Sequence, residues 1–319
     1  MRKVKSLTFT FQDQDDIEIF VYKWEPDNKP KAVVQIIHGL AEHAMRYSRV
    51  AEYLCNVGYV CYGNDARGHG RTAGDLTEAT LAGNAGVLGP NGWKGVINDV
   101  HELSKIIKKE HPSLPLFLIG HSWGAMLAQD YIQEWGNEIN GCILSGTNGK
   151  VRALVIKAGK LILKGEMKKR GLTEPSQKMD DMNFKSNNHD WKNEEGATGF
   201  EWLSRDKEEV QKYIDDPWSG FVSPANLWLE FIYGMEKIYD SKNEQKIPKN
   251  LPIYIMAGSL DPIGNKTKGV KAMISRFEKY SITDVTFKFY EDARHEIFNE
   301  INREEVFKDV INWLDSHMP

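Results

Sequence analysis

No apolar stretch in this chain approaches the roughly 20 residues that a membrane-spanning helix needs. The basic N-terminus, "MRKVKSLTFTFQDQDD", lacks the continuous apolar region and small-residue cleavage site of a secretory signal, so a cytoplasmic setting is expected. Cysteine is scarce: only Cys55, Cys61 and Cys142, each in or beside an apolar stretch and none in a C-x-x-C pair. That excludes a disulfide framework, gives no support to a zinc or redox centre, and reads as buried reduced thiols. Excess charge of one sign is missing too. Lysine and arginine number 41 against 45 acidic residues, a net charge of -4, so no global field invites nucleic acid. Internal repeats and low-complexity tracts are absent. A soluble globular protein is left, large enough for one α/β domain with an insertion or for two domains.

What is there is a rhythm. "VKSLTFTF" and "IEIFVYKW" carry the period-2, β-branched and aromatic pattern of strands. "KAVVQIIHG", "YVCYGND", "LPLFLIG" and "INGCILSG" are continuous apolar runs, the mark of strands buried on both faces. Between them lie helical segments: "RYSRVAEYLCNVG", "GWKGVINDVHELSKIIKKEHP" with Val96, Val100, Leu103 and Ile107 on one side, and "SWGAMLAQDYIQEWG". Alternating strands and helices predict a mostly parallel sheet covered on both faces, with ligands beyond the carboxyl ends of its strands. After Gly146 the rhythm stops and resumes at "LPIYIMAG", then "KGVKAMISRFEKY", "DVTFKFY" and "REEVFKDVINWLDSHM". The expected organisation is a core of residues 1–147 and 227–319, interrupted by an insertion at 148–226.

The segment "LIGHSWGAM" ends a strand and starts a helix, with Gly120, Ser122 and Gly124 at alternating positions. G-x-S-x-G in that context is a nucleophile elbow: the turn strains the serine backbone, and only small neighbours fit beside it. A serine hydroxyl needs a base, and the base an orienting acid, each in a loop after a later strand in the order Ser, Asp/Glu, His. Asp261 in "GSLDPIG" and His295 in "DARHEIFNE" meet that order; Asp292, three residues from His295, is the rival acid and fits a turn better. Two backbone N–H groups are needed for the oxyanion. Trp123 supplies one as the residue after Ser122, and Leu40, after His38-Gly39, supplies the other. His38 and His43 do not have the helical H-E-x-x-H spacing, so no metal site is expected, and "RGHGRTAG" and "GPNGWKG" do not match a phosphate loop. No cofactor is expected.

Taken together, "HGLAEHAMRY", "YGNDARGHGRTAG", "GHSWG", "GSLDPIG" and "DARHEIFNE" resemble the α/β-hydrolases of the monoacylglycerol lipase and lysophospholipase group, also described as serine aminopeptidase S33-like. The resemblance spans nearly the whole chain. It implies an α/β-hydrolase fold with a mainly helical cap, a Ser122–Asp261–His295 triad, and a monoacyl lipid or similar small ester as substrate. Trp123 stands where that group commonly has a smaller residue or methionine. Two other activities stay open. An aminopeptidase would want acidic residues for an α-amine, with Glu194, Glu195 and Glu201 as candidates, and a ligand receptor on a hydrolase fold would need no triad.

Within the insertion, "VRALVIKAGKLILKGEMKK" is helical with two apolar strips. Val151, Leu154, Val155, Ala158, Leu161 and Ile162 form the larger; Ile156, Leu163 and Met167 form the second. Burial of both strips in cap packing is one expectation. The other is that the second strip lines an acyl tunnel or touches lipid, with lysines meeting anionic head groups at a membrane surface. Trp191, Trp202, Trp218 and Trp228 are candidates for a cavity wall.

Overall fold

The computed structural model describes residues 4–74 and 83–319. Eight strands form one sheet: β1 Lys5–Gln12, β2 Glu18–Glu25, β3 Ala32–Ile37, β4 Tyr59–Asn64, β5 Leu116–His121, β6 Gly141–Ser145, β7 Ile253–Gly258 and β8 Val285–Tyr290. Their order across the sheet is β1-β2-β4-β3-β5-β6-β7-β8. β1 and β2 pair antiparallel, β2 joins β4 antiparallel, and β3 through β8 run parallel. The chain goes from β3 outward to β4 on one side, then returns to place β5 on the other. The carboxyl ends of β3 and β5 therefore flank the switch point, where an open α/β sheet has its crevice.

Among the described residues, eight helices of nine residues or more accompany the sheet: α1 Ser48–Asn56, α2 Gly92–Glu110, α3 Trp123–Trp135, α4 Ala153–Arg170, α5 Lys207–Asp215, α6 Ala225–Ile238, α7 Lys268–Lys279 and α8 Arg303–Ser316. Strand side chains alternate between two cores. Val33, Leu116, Leu118 and Ile255 meet α2, α3 and α7, while Val34, Phe117, Ile143 and Met256 meet α1 and α8. Burial on both faces explains why these strands read as unbroken apolar runs. Cys55, Cys61 and Cys142 are buried and unpaired by disulfides. Among the described residues no helix is long and apolar enough to cross a membrane.

Between β6 and β7 the chain leaves the sheet and runs through α4, α5 and α6. Asp206 caps α5 by accepting from the Glu208 and Glu209 N–H groups at 3.1 and 3.4 Å, and α6 starts directly after Pro224. The boundary expected at 226/227 falls inside α6, a continuous helix that packs on α4 at one side and on α2 and α3 of the core at the other.

One expectation about α4 is overturned. Of its larger apolar strip, Leu154 is 79 % and Leu161 75 % exposed, and Ala158 and Val155 are also exposed. The inward side carries Ile156 and Leu163 of the second strip, both buried, with Ile162 of the larger strip packed in the same cluster as Leu163. The cause is close approach. Gly159 lies between Ile156 and Leu163, and even a methyl group there would sit 3.2 Å from Ile232 Cδ1 of α6. A helix lying across strand ends has only one packed side, and the side with the glycine gap takes α6.

Candidate active site

Ser122 closes β5 and opens α3. Its backbone is strained, at φ 54° and ψ -117°, and its N–H donates to the Ser145 carbonyl at 2.8 Å. The flanking glycines are sterically required. A Cβ on Gly120 would lie 2.3 Å from the Gly124 carbonyl oxygen, and one on Gly124 would lie 2.1 Å from that of Ile37. This packing presses the start of α3 against the end of β3. The Trp123 N–H, first in the helix, has no intrahelical acceptor, and the helix dipole adds positive potential there. The Trp123 ring is buried and stacks on His69, centroids 5.0 Å apart.

The loop after β3 carries His38 to His43. Gly39 N–H donates to Glu42 Oε1 at 2.5 Å, and Tyr47 O–H to the same oxygen at 2.7 Å. The Leu40 N–H has no hydrogen-bond partner among the described residues. Both nitrogens of His38 are used: Nε2 accepts from the Ala66 N–H at 2.9 Å, and Nδ1 donates to the Gly39 carbonyl at 2.7 Å. Burial holds its pKa well below the usual histidine value, so the ring is neutral and structural.

Asp261 follows β7 and is fully buried. Its Oδ1 accepts from the Ile263 N–H at 2.9 Å, and its Oδ2 lies 3.0 Å from His295 Nδ1. Gly258 makes this meeting feasible, since a Cβ there would come within 2.1 Å of the Arg294 carbonyl oxygen. Burial opposes a charged His295, but the charge and hydrogen bond of Asp261 outweigh it, and the net pKa is raised above the ordinary histidine value. Asp292 is exposed at φ 55°, with its N–H donating to Ser259 Oγ at 2.8 Å, and forms no hydrogen bond or ion pair with His295.

Ser122, His295, Leu40 and Trp123 share one cavity of about 480 Å³. Its remaining wall is largely apolar and comes from the insertion and α6, including Ile156, Leu163, Trp202, Trp228 and Phe231. Trp191, Trp218 and Met167 lie outside it. So do Glu194, Glu195 and Glu201: Glu194 pairs with Arg294 at 2.8 Å, Glu201 accepts from Asn188 and Thr198 at 2.7 Å, and Glu195 is exposed. The carboxylates named as candidates for holding an α-amine are thus turned to other partners or to solvent.

The carboxylates that do reach the cavity are Glu42 and Glu296, which no motif in the sequence marks. Arg46 holds both: it forks on Glu296 at 2.7 and 2.8 Å and also pairs with Glu42. Burial pushes Glu42 up, whereas at Glu296 the two-pronged contact with Arg46 overrides burial and keeps the carboxylate charged. Arg46 thereby ties the loop after β3 to the loop that carries His295. The i,i+4 spacing of Glu42 and Arg46 was the one signal in the sequence.

Known proteins share this architecture. A monoacylglycerol lipase of Mycolicibacterium smegmatis is 25% identical over 319 residues, 97% of each chain, and a monoglyceride lipase of Homo sapiens is 26% identical over 93% of this chain and 86% of its own. The crystal structure of a carboxyl esterase from Bacillus coagulans, solved with glycerol, superposes with a TM-score of 0.86 at 29% identity, covering 98% of this chain and 99% of the other. The family model described as "Serine aminopeptidase, S33" matches residues 28–302. The chain is therefore an α/β-hydrolase and belongs to the serine aminopeptidase S33 family.

Proposed function

We propose that the protein is a serine hydrolase that cleaves carboxylic esters, with monoacylglycerols or similar monoacyl lipids as substrates. The observation that carries this reading is that His295, paired with the buried Asp261, lines the same cavity as Ser122, which sits on a strained elbow. In the reaction, Ser122 Oγ attacks the ester carbonyl carbon while His295 Nε2 takes its proton. The tetrahedral oxyanion accepts from the Leu40 and Trp123 N–H groups. Collapse breaks the bond to the alkoxy oxygen, which leaves with the proton from His295. Water, deprotonated by His295, then attacks the acyl-enzyme and releases the acid. Asp261 keeps Nδ1 protonated, so that Nε2 is the free base.

The apolar wall favours an acyl chain, and the names of the relatives, together with the glycerol bound to the Bacillus coagulans esterase, favour a glyceryl ester. An aminopeptidase is disfavoured because both carboxylates that line the cavity are already engaged by Arg46, and Glu42 also by Gly39 N–H and Tyr47 O–H. We also place the exposed strip of α4, Leu154 and Leu161 beside Lys157 and Lys164, at the surface of substrate-bearing lipid. A panel of p-nitrophenyl esters, monoacylglycerols and aminoacyl-anilides tests the class of substrate. A fluorophosphonate should label Ser122, and Ser122→Ala should lose several orders of magnitude in ester turnover while keeping the fold. Labelling of another serine, or turnover of anilides above esters, refutes the reading.

A further inference from the structure

The insertion does more at the site than cover it. Its residues 201–220 hold two of the loops on which the proposed chemistry depends. On the His295 side, the Trp202 carbonyl accepts from the His295 N–H at 3.2 Å and the Leu203 carbonyl from the Glu296 N–H at 2.7 Å. The Trp202 ring lies against the imidazole, centroids 5.0 Å apart. On the other side, the Ala41 carbonyl accepts from Tyr213 O–H at 3.1 Å and from the Gly220 N–H at 2.9 Å. Asp216 Oδ2 lies 2.6 Å from His43 Nε2, and Asp216 also accepts from the Trp218 N–H and Ser219 O–H, which fixes its own turn. Between the two sides, the Tyr213 ring packs under the Arg46 guanidinium at 4.8 Å.

Ala41 is the point of leverage. It is fully buried at φ 54°, in the left-handed region that a residue with a Cβ enters at a cost. The carbonyl gripped by Tyr213 and Gly220 is two peptide planes from the Leu40 N–H. We propose that Tyr213 and Asp216 are positioning residues, which clamp the 39–43 loop in its strained shape and so aim the Leu40 N–H at the oxyanion. The inference rests on the serine-hydrolase reading. It gives residues 201–220, of which Trp202, Leu203 and Tyr213 also line the cavity, a bracing role on which kcat depends, and leaves the α4 side as cavity wall alone.

The test uses Tyr213→Phe and Asp216→Asn in the full chain, each close in shape to the native residue. With p-nitrophenyl butyrate, kcat should fall about 5-fold in the first and about 10-fold in the second, the scale of one neutral and one charge-assisted hydrogen bond, with KM little changed. Affinity for butaneboronic acid, whose tetrahedral adduct fills the oxyanion site, should fall by the same factors. Affinity for butanol, which has no oxyanion, should not move. Retention of wild-type kcat and boronate affinity in both variants overturns the inference, as does equal weakening of boronate and alcohol, which would mean a change in cavity shape alone. A wild-type chain that neither hydrolyses the ester nor reacts with a fluorophosphonate overturns the serine-hydrolase reading, and the inference with it.

Discussion

Placing a carboxyl group on the inward face of α4 should separate the proposed binding of an acyl chain from the proposed chemistry at Ser122. Leu163 is fully buried, lines the cavity, and packs with Met179 and Trp228. In Leu163→Glu the new side chain has no basic partner in that apolar cluster, so it stays protonated or draws water in, and the wall stops rewarding methylenes. Each methylene buried by the native wall is worth about 0.8 kcal/mol, or up to about 4-fold in kcat/KM. Four of them, from p-nitrophenyl butyrate to octanoate, give up to about 200-fold by the same arithmetic. The variant should cut the gain to under about 2-fold per methylene, while p-nitrophenyl acetate, with almost nothing to bury, stays within about 3-fold of wild type. Leu163→Met, which keeps volume and polarity, should preserve the native slope. An unchanged slope in Leu163→Glu would show that acyl chains lie elsewhere. Equal losses at all chain lengths in a protein still folded by circular dichroism would show that the helix supports the catalytic centre itself.

Asp261→Asn should lower kcat on the order of 10⁴-fold, because His295 loses the acceptor that fixes its tautomer, whereas the exposed Asp292→Asn should stay near wild type; the opposite ranking in ester assays would identify the wrong acid. On the proposed mechanism the raised pKa of His295 should set the acid limb of the pH profile. A general base must be neutral, so kcat/KM should fall as pH drops through a value above the ordinary 6.5, and in Asp261→Asn the residual activity should show that limb at lower pH, since burial is then opposed only by the weaker pull of Glu296 and Glu42. Gly124→Ala places a Cβ 2.1 Å from the Ile37 carbonyl oxygen, a backbone atom that cannot swing away, so thermal melts should register a loss of about 1–3 kcal/mol and turnover should fall with it. On the outer face of α4, Leu154→Glu with Leu161→Glu should reduce sedimentation with anionic vesicles and leave hydrolysis of soluble esters intact; unaltered vesicle binding would remove this face from the lipid surface.

The parts of this protein that were legible in the sequence are those governed by short-range sterics and by period. Continuous apolar runs marked strands buried on both faces, because each strand residue must meet one core or the other. Gly120 and Gly124 marked the elbow around Ser122, because the clash they avoid lies within a few residues or against the adjacent strand. Asp261 and His295 could be named because strand ends on one edge of a parallel sheet converge by topology, and the structure brings them to 3.0 Å. Tertiary structure alone decided the rest. Two apolar strips on α4 are equivalent to periodicity, and only the approach of α6 at Gly159 turned Ile156 and Leu163 inward and left Leu154 and Leu161 in solvent. Arg46 and Glu296 are 250 residues apart, and His43 and Asp216 are 173 apart. Polar groups so distant in the chain show no mutual pattern until folding removes them from water, and a buried one without a partner is then too costly to keep.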